Sequence, residues 1–428
     1  MGIITKIAIG ALVLIVAATS TPGQPPYSAE EFLSFLKATY ERHEKDLAPY
    51  LISQLTLFID LYPDSELLPE AYFYRAQTWL DRKDEYRAFT DLMRIMFIYS
   101  ESDIRESANY SLNSIVQREK DFQTMLPEIR EILDSSPIVH EEEPQFLAYI
   151  EFLYSLGIPK LVPALTDVAH EFIARYPNNK AVGQIHIWLA QSCEIGSNNA
   201  SADASYRKYI ALFPGSDSLP MMKVRLANHL YSAMKRSDTA VIILTDVINQ
   251  HRDVSDAGDA LYLRARIQTD EYRNYDAAID DARRLADEYP DHIRVYDALM
   301  LIADLYSDRL RRYREAVNTY EEVVRRFPRD ERAVTALIKS AKLCTDRLEL
   351  FEDAAERYTA VAAMFPHTPR AADCAYEAAE IYEKELEDCR RALVAYQSVV
   401  RQFSGTRQAE SAGKKAEKIK ERIADGDC

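Results

Sequence analysis

The sequence predicts an all-α solenoid built from about nine or ten helical hairpins, and three observations carry that prediction. First, second-helix endings marked by an aromatic-Pro pair or a degraded equivalent recur at Tyr62, Tyr99, Ser136, Tyr176, Phe213, His251, Tyr289, Phe327, Phe365 and Phe403. Successive steps are 37, 37, 40, 37, 38, 38, 38, 38 and 38 residues. A fixed period of this size is the signature of stacked supersecondary units. Second, each period repeats one order of small and large residues. Third, the 428 residues include only 11 glycines, a share that suits a mostly helical chain.

The clearest unit runs from Tyr289 to Pro328. Ala298, Leu299, Leu301, Ile302, Leu305 and Tyr306 fall at helical spacing, a charged turn follows, and Ala316, Val317, Tyr320, Val323 and Val324 mark a second helix. Phe327-Pro328 ends it, because proline offers no N–H and clashes with the preceding turn. Ala303, Tyr306, Ala316 and Tyr320 recur as Ala379, Tyr382, Ala392 and Tyr396, and as Ala341, Cys344, Ala354 and Tyr358. Small residues let paired helices approach, and large ones fill the space between hairpins.

Taken in order, residues 1–20 read as a secretory signal. Lys6 and the amino terminus precede the apolar run IAIGALVLIVAA, and Val16 and Ala18 fit a small-residue cut after Ala18 or near Ser20. The run is short for a membrane span of about 20 residues, so an uncleaved anchor is the second reading. No cysteine follows it to take a lipid. Residues 21–27 form a linker, and 28–175 hold hairpins that are partly degenerate. The opening hairpin places Ala38 and Leu55 in register, and the blurred stretch 100–175 reads as a bend between two lobes. Residues 176–404 form the regular array. Residues 405–428 form a capping helix with Ala409, Ala412, Ala416, Ile419 and Ile423 on one side.

These spacings resemble the tetratricopeptide repeat, whose small-x2-aromatic, alanine-x3-aromatic and terminal proline positions they match. The family unit has about 34 residues. Here one residue is added between the helices and three after the proline, where Ser65, Ser216 and Thr368 offer capping side chains and Pro369 a helix start. This long link is similar to that of exported bacterial repeat proteins, among them the repeat lipoprotein of the outer-membrane β-barrel assembly machine. The resemblance implies a right-handed superhelix and a partner-binding groove lined by first helices. Groove positions three before and one after the small landmark give an apolar row of Phe73, Ile187, Val224, Tyr262, Met300, Ile338 and Tyr376. The adjacent polar row is Gln77, Gln191, Asn228, Arg266, Asp304, Lys342 and Glu380. Packing against neighbouring first helices is the alternative role for the apolar row, chiefly for Val224 and Ile338.

The balance of 52 basic and 68 acidic side chains, net −16, argues against nucleic acid and anionic membranes as main partners. It permits a basic protein partner or one offering an apolar segment. No Gly-rich phosphate cradle, HExxH, nucleophile elbow or CxxC spacing occurs, so no enzyme activity, cofactor, metal or small-molecule ligand is expected. Cys193, Cys344, Cys374 and Cys389 fall on packing positions and read as core thiols, and Cys428 as a free tail thiol. The expectation is a non-enzymatic interaction scaffold of the periplasm or cell envelope. Alternatives are a part in outer-membrane or secretion assembly, and an envelope enzyme or glycan-binding protein.

Overall fold

A computed structural model of the protein describes residues 27–134 and 142–427. The expected signal segment, its cut near Ala18–Ser20, residues 21–26 of the linker, the Ser136 landmark and Cys428 lie outside these residues. Among the described residues there is no strand, and no helix is long and apolar enough to cross a membrane. Among the described residues ten hairpin units, the third with a broken second helix, and a final single helix follow one another, as the period requires.

The first compact unit ends at Pro214 and the second begins at Gly215. In the first unit α1 (Ala29–Tyr40) pairs with α2 (Ala48–Leu61), and α3 (Leu68–Asp81) with α4 (Glu85–Ile98). Then come α5 (Arg105–Arg118), two short helices, α6 (Lys120–Gln123) and α7 (Leu126–Leu133), and the pair α8 (Glu142–Ser155) and α9 (Val162–Arg175). The pair α10 (Val182–Ile195) and α11 (Asn199–Leu212) closes the unit. The second unit contains α12 (Leu219–Ser232) with α13 (Ser237–Gln250), α14 (Asp256–Asp270) with α15 (Tyr275–Glu288), and α16 (Val295–Asp304) with α17 (Tyr313–Arg326). It continues with α18 (Ala333–Asp346) and α19 (Phe351–Met364), α20 (Ala371–Lys384) and α21 (Cys389–Gln402), and the lone α22 (Arg407–Asp425). A π-turn at Leu305–Arg309 extends α16. Every helix of this unit packs on the next in sequence.

The small landmarks explain the close pairing. Ala76, Ala190, Ala227, Ala265, Ala303, Ala341 and Ala379 on first helices are fully buried, as are Ala88, Ala202, Ala240, Ala278, Ala316, Ala354 and Ala392 on second helices. The landmark tyrosines carry a second function that composition conceals. Tyr62 and Tyr289 donate their hydroxyls to the carbonyls of Tyr27 and Arg252, both at 2.6 Å, fastening each helix end to the link one period earlier. The residue added between helices also has a physical reason. His43, Lys83, Ser197, Lys235, Arg273, Arg311, Glu349 and Glu387 all adopt positive φ in that turn, as does Gly157. Only the third hairpin has no such residue among those described; its Glu119 is extended instead.

Several expectations change. In α1 the buried face is Leu33, Leu36 and Thr39, and Ala38 is exposed, so Thr39 takes the position assigned to Ala38; Leu55 is buried as expected. Thr368 does not cap α20, which starts at Ala371; its hydroxyl donates to the Phe365 carbonyl at 2.9 Å and closes the link turn, leaving Pro369 outside the helix. Ser65 and Ser216 likewise do not cap the helices that follow, whose N-cap positions are Leu67 and Ser218; their hydroxyls accept the N–H groups of Leu67 and Ser218 at 3.2 Å each and shape the link turn. Cys193, Cys344, Cys374 and Cys389 are all buried, and the first three are free thiols. Cys389, by contrast, is disulfide-bonded, so it is buried but is not the core thiol the sequence suggested. The capping helix is present, with Ala409, Ala412, Ala416 and Ile419 buried and Thr406 accepting the Ala409 N–H at 3.2 Å.

The blurred stretch is the one strong irregularity. Pro127 cannot sit inside a helix and opens α7, so the third hairpin lacks a full second helix. The next first helix, α8, packs on α4 instead. Consequently α4 is buried without interruption from Ala88 to Met96, on every side of the helix.

Candidate ligand-binding cleft

The two groove rows fall on first helices, and their fate differs between the units. In the first unit Phe73 is half-buried beside Tyr74, and Gln77 donates to the Ser111 hydroxyl at 3.0 Å. Ile187 is buried, and Gln191 accepts from the Tyr154 hydroxyl. Gln77 and Gln191 therefore serve contacts between hairpins.

In the second unit the apolar row is Val224, Tyr262, Met300, Ile338 and Tyr376, of which Ile338 is buried and the rest are half-buried. The Arg294 guanidinium lies 5.4 Å from the Tyr262 ring centre. In the polar row Asn228, Arg266 and Lys342 are exposed. Arg266 faces Asp270 at 3.5 Å. Asp304 accepts from the Tyr320 hydroxyl and from the Lys339 ammonium at 2.7 Å, which fixes it as a strut between adjacent hairpins.

Ile338, Lys342, Tyr376 and Glu380 come together. They line a cleft of about 840 Å³ between α18 and α20, to which the start of α22 also contributes. Its floor is apolar, with Phe351, Tyr358, Cys374 and Ile381 beside Ile338. Charged residues form its rim. Lys342 comes from α18, Arg370 from the link before α20, Lys384 from α20 and Arg407 from α22. Asp346, Asp373, Glu377, Glu380 and Glu385 alternate with them.

Some of these charges are already engaged. Lys384 holds Glu380 at 2.8 Å, and the Gln408 amide donates to Asp373. Lys342, Arg370 and Arg407 have no carboxylate within ion-pair distance among the described residues. Burial, and after it the nearby Glu380 charge, raise the Glu377 carboxyl above its ordinary range, although Lys384 and Lys342 oppose the shift. Burial also pushes the Cys374 thiol up to about 11, with Arg370 pulling the other way, so it remains a neutral part of the floor. An apolar floor with cations and carboxylates around it suits a peptide segment that supplies one apolar anchor and charged flanks.

Arg370, Asp373, Glu377, Arg407 and Gln408 escaped the sequence reading. The first lies in the link and the last two in the capping helix, where the repeat register assigns no groove position. Asp373 and Glu377 lie on α20, outside the two row positions, and their helical phase brings them into the cleft. Among the described residues no group of three or more His, Cys, Asp or Glu side chains could hold a metal ion.

Comparison with known proteins places two hairpins in a family. Residues 259–292 and 297–330 match the tetratricopeptide repeat model. No curated protein matches the chain. Solved structures with similar folds include a tetratricopeptide repeat protein from Parabacteroides merdae, at 18% identity and a TM-score of 0.35, covering 56% of this chain and 89% of that one. The tetratricopeptide domain of P58(IPK) is 15% identical, with 92% and 99% covered and a TM-score of 0.28. A signal-transduction ATPase with a tetratricopeptide repeat sensor, from Pyrococcus horikoshii, is 15% identical over 86% of this chain and 56% of its own, with a TM-score of 0.40.

Proposed function

We propose that this chain, which bears tetratricopeptide repeats, is a non-enzymatic scaffold that holds a segment of a partner protein in the cleft between α18 and α20. Arrays of this family are generally protein-interaction scaffolds. One observation carries the reading for this chain: four row residues chosen from the repeat register line a single cleft, alongside three cations without carboxylate partners among the described residues. The apolar run in residues 7–18 supports an exported protein of the periplasm or cell envelope, where the partner would also reside.

Site-specific crosslinking tests the proposal. A photoreactive phenylalanine analogue in place of Tyr376 should yield a discrete adduct with a partner from the envelope fraction. The same analogue at Val394, which is 67% exposed on α21, serves as the comparison. The adduct at position 376 should fall at least tenfold when Lys342→Glu is added. Equal adducts from both positions, or one indifferent to Lys342→Glu, would overturn the reading.

A further inference from the structure

The stack divides at α4. In a regular array a second helix contacts its own first helix and the first helix of the next hairpin. Here α4 packs on α3, on α5 and also on α8, and touches α9. The joint with α8 and α9 is polar as well as apolar. Arg94, 3% exposed, donates twice to Glu171 of α9, at 2.9 and 2.6 Å, and also to the Tyr72 hydroxyl. Its guanidinium lies 4.7 Å from the Tyr72 ring centre and 4.8 Å from that of Phe146. The buried Tyr149 hydroxyl donates to the Thr90 carbonyl at 2.5 Å. The second and fourth hairpins are therefore joined directly, with no residue of the third between them.

The third hairpin is attached differently. Its first helix, α5, packs through Ala108, Leu112, Ile115 and Val116. Beyond it, α6 and α7 have four and eight residues, too short to persist without support. That support comes from Phe122, stacked on Phe89 at 4.1 Å between ring centres, from the buried Ile129 and Leu133 of α7, and from a cluster at the edge. There Tyr86 donates to Asp121 at 2.6 Å and Lys160 reaches Asp121 at 3.2 Å. The Lys160 and Asp121 side chains are 61% and 40% exposed, so solvent weakens this pair.

We propose that residues 105–134 form a side branch that opens as a unit while the main stack of α3, α4, α8 and α9 stays folded. The branch is a strap over one side of α4, pinned by Phe122, and its release uncovers Phe89. The ionic joint at Arg94 keeps the stack together whether the strap is closed or open.

Hydrogen–deuterium exchange on the full-length chain, read peptide by peptide, tests this. Amides of 105–133 should exchange together, at least tenfold faster than those of α4 and α8. Phe122→Ala should accelerate the branch at least tenfold further and leave α8 and α9 within twofold of the original chain. Lys160→Met should accelerate the branch two- to fivefold with the same restriction. Branch amides as slow as those of α4, acceleration of α8 and α9 in step with the branch, or failure of Phe122→Ala to fold would each overturn the proposal.

Discussion

At the scale of single residues, His186 shows how much a register leaves unsaid. It lies on α10, 2% exposed, with its ring 5.8 Å from that of Phe213. Burial above all, then the charges of Lys208 and His170, lower its pKa from the ordinary 6.5 to about 4. The unfolded chain therefore binds a proton near pH 6.5 that the folded chain refuses until about pH 4. Stability supplied by the neutral ring is complete above pH 6.5 and is lost as pH falls through that window, up to about 3 kcal/mol. His186→Leu should flatten this part of the pH profile. Urea midpoints of the variant and the original chain, compared at pH 7.5 and 4.5, check it: the gap should shift in the variant's favour at the lower pH.

Whole helices show where the repeat rule holds and where it yields. The ninth residue of α3, α10, α12, α16, α18 and α20 is a fully buried alanine. In α5 the ninth residue is Asn113, exposed, and the bulkier Leu112 beside it is buried instead. An asparagine cannot be buried there without hydrogen-bond partners, so the helix turns a neighbouring face inward. Pro127 then breaks the helix that should follow, and α8 finds α4 as its partner. The joint this creates is testable through its buried charge. Glu171→Gln strands the Arg94 guanidinium and should cost about 3 kcal/mol or more, read from urea unfolding. The double replacement Arg94→Met with Glu171→Met removes the stranded charge, and most of that loss should return.

For the whole molecule, the consequences follow from a core that is shared hairpin by hairpin. Tyr396 and Val399 of the last hairpin are buried against α22, whose outer positions Glu410, Lys414, Glu417, Lys418 and Glu421 are exposed. A chain ending at residue 404 would present that apolar face to solvent. It should self-associate as concentration rises, which sedimentation velocity would show, whereas the full chain should not. The cleft proposed for the partner would lose Arg407 and Gln408 in the same truncation, so binding and association can be followed together.

The sequence by itself determined the period, the helix pairs outside the third hairpin, the buried alanines, the capping helix and four residues of the cleft. It could do so because a 38-residue repeat places the same side chain on the same face each time, and local periodicity needs no knowledge of the neighbours. Only the tertiary structure decided which first helix packs on α4, that Asp304 and Gln77 serve as struts, and that Arg370 and Arg407 face the cleft. Those outcomes depend on contacts between residues far apart in sequence. At α4 two faces were open to packing, and the loss of one complete second helix settled which elements would fill them.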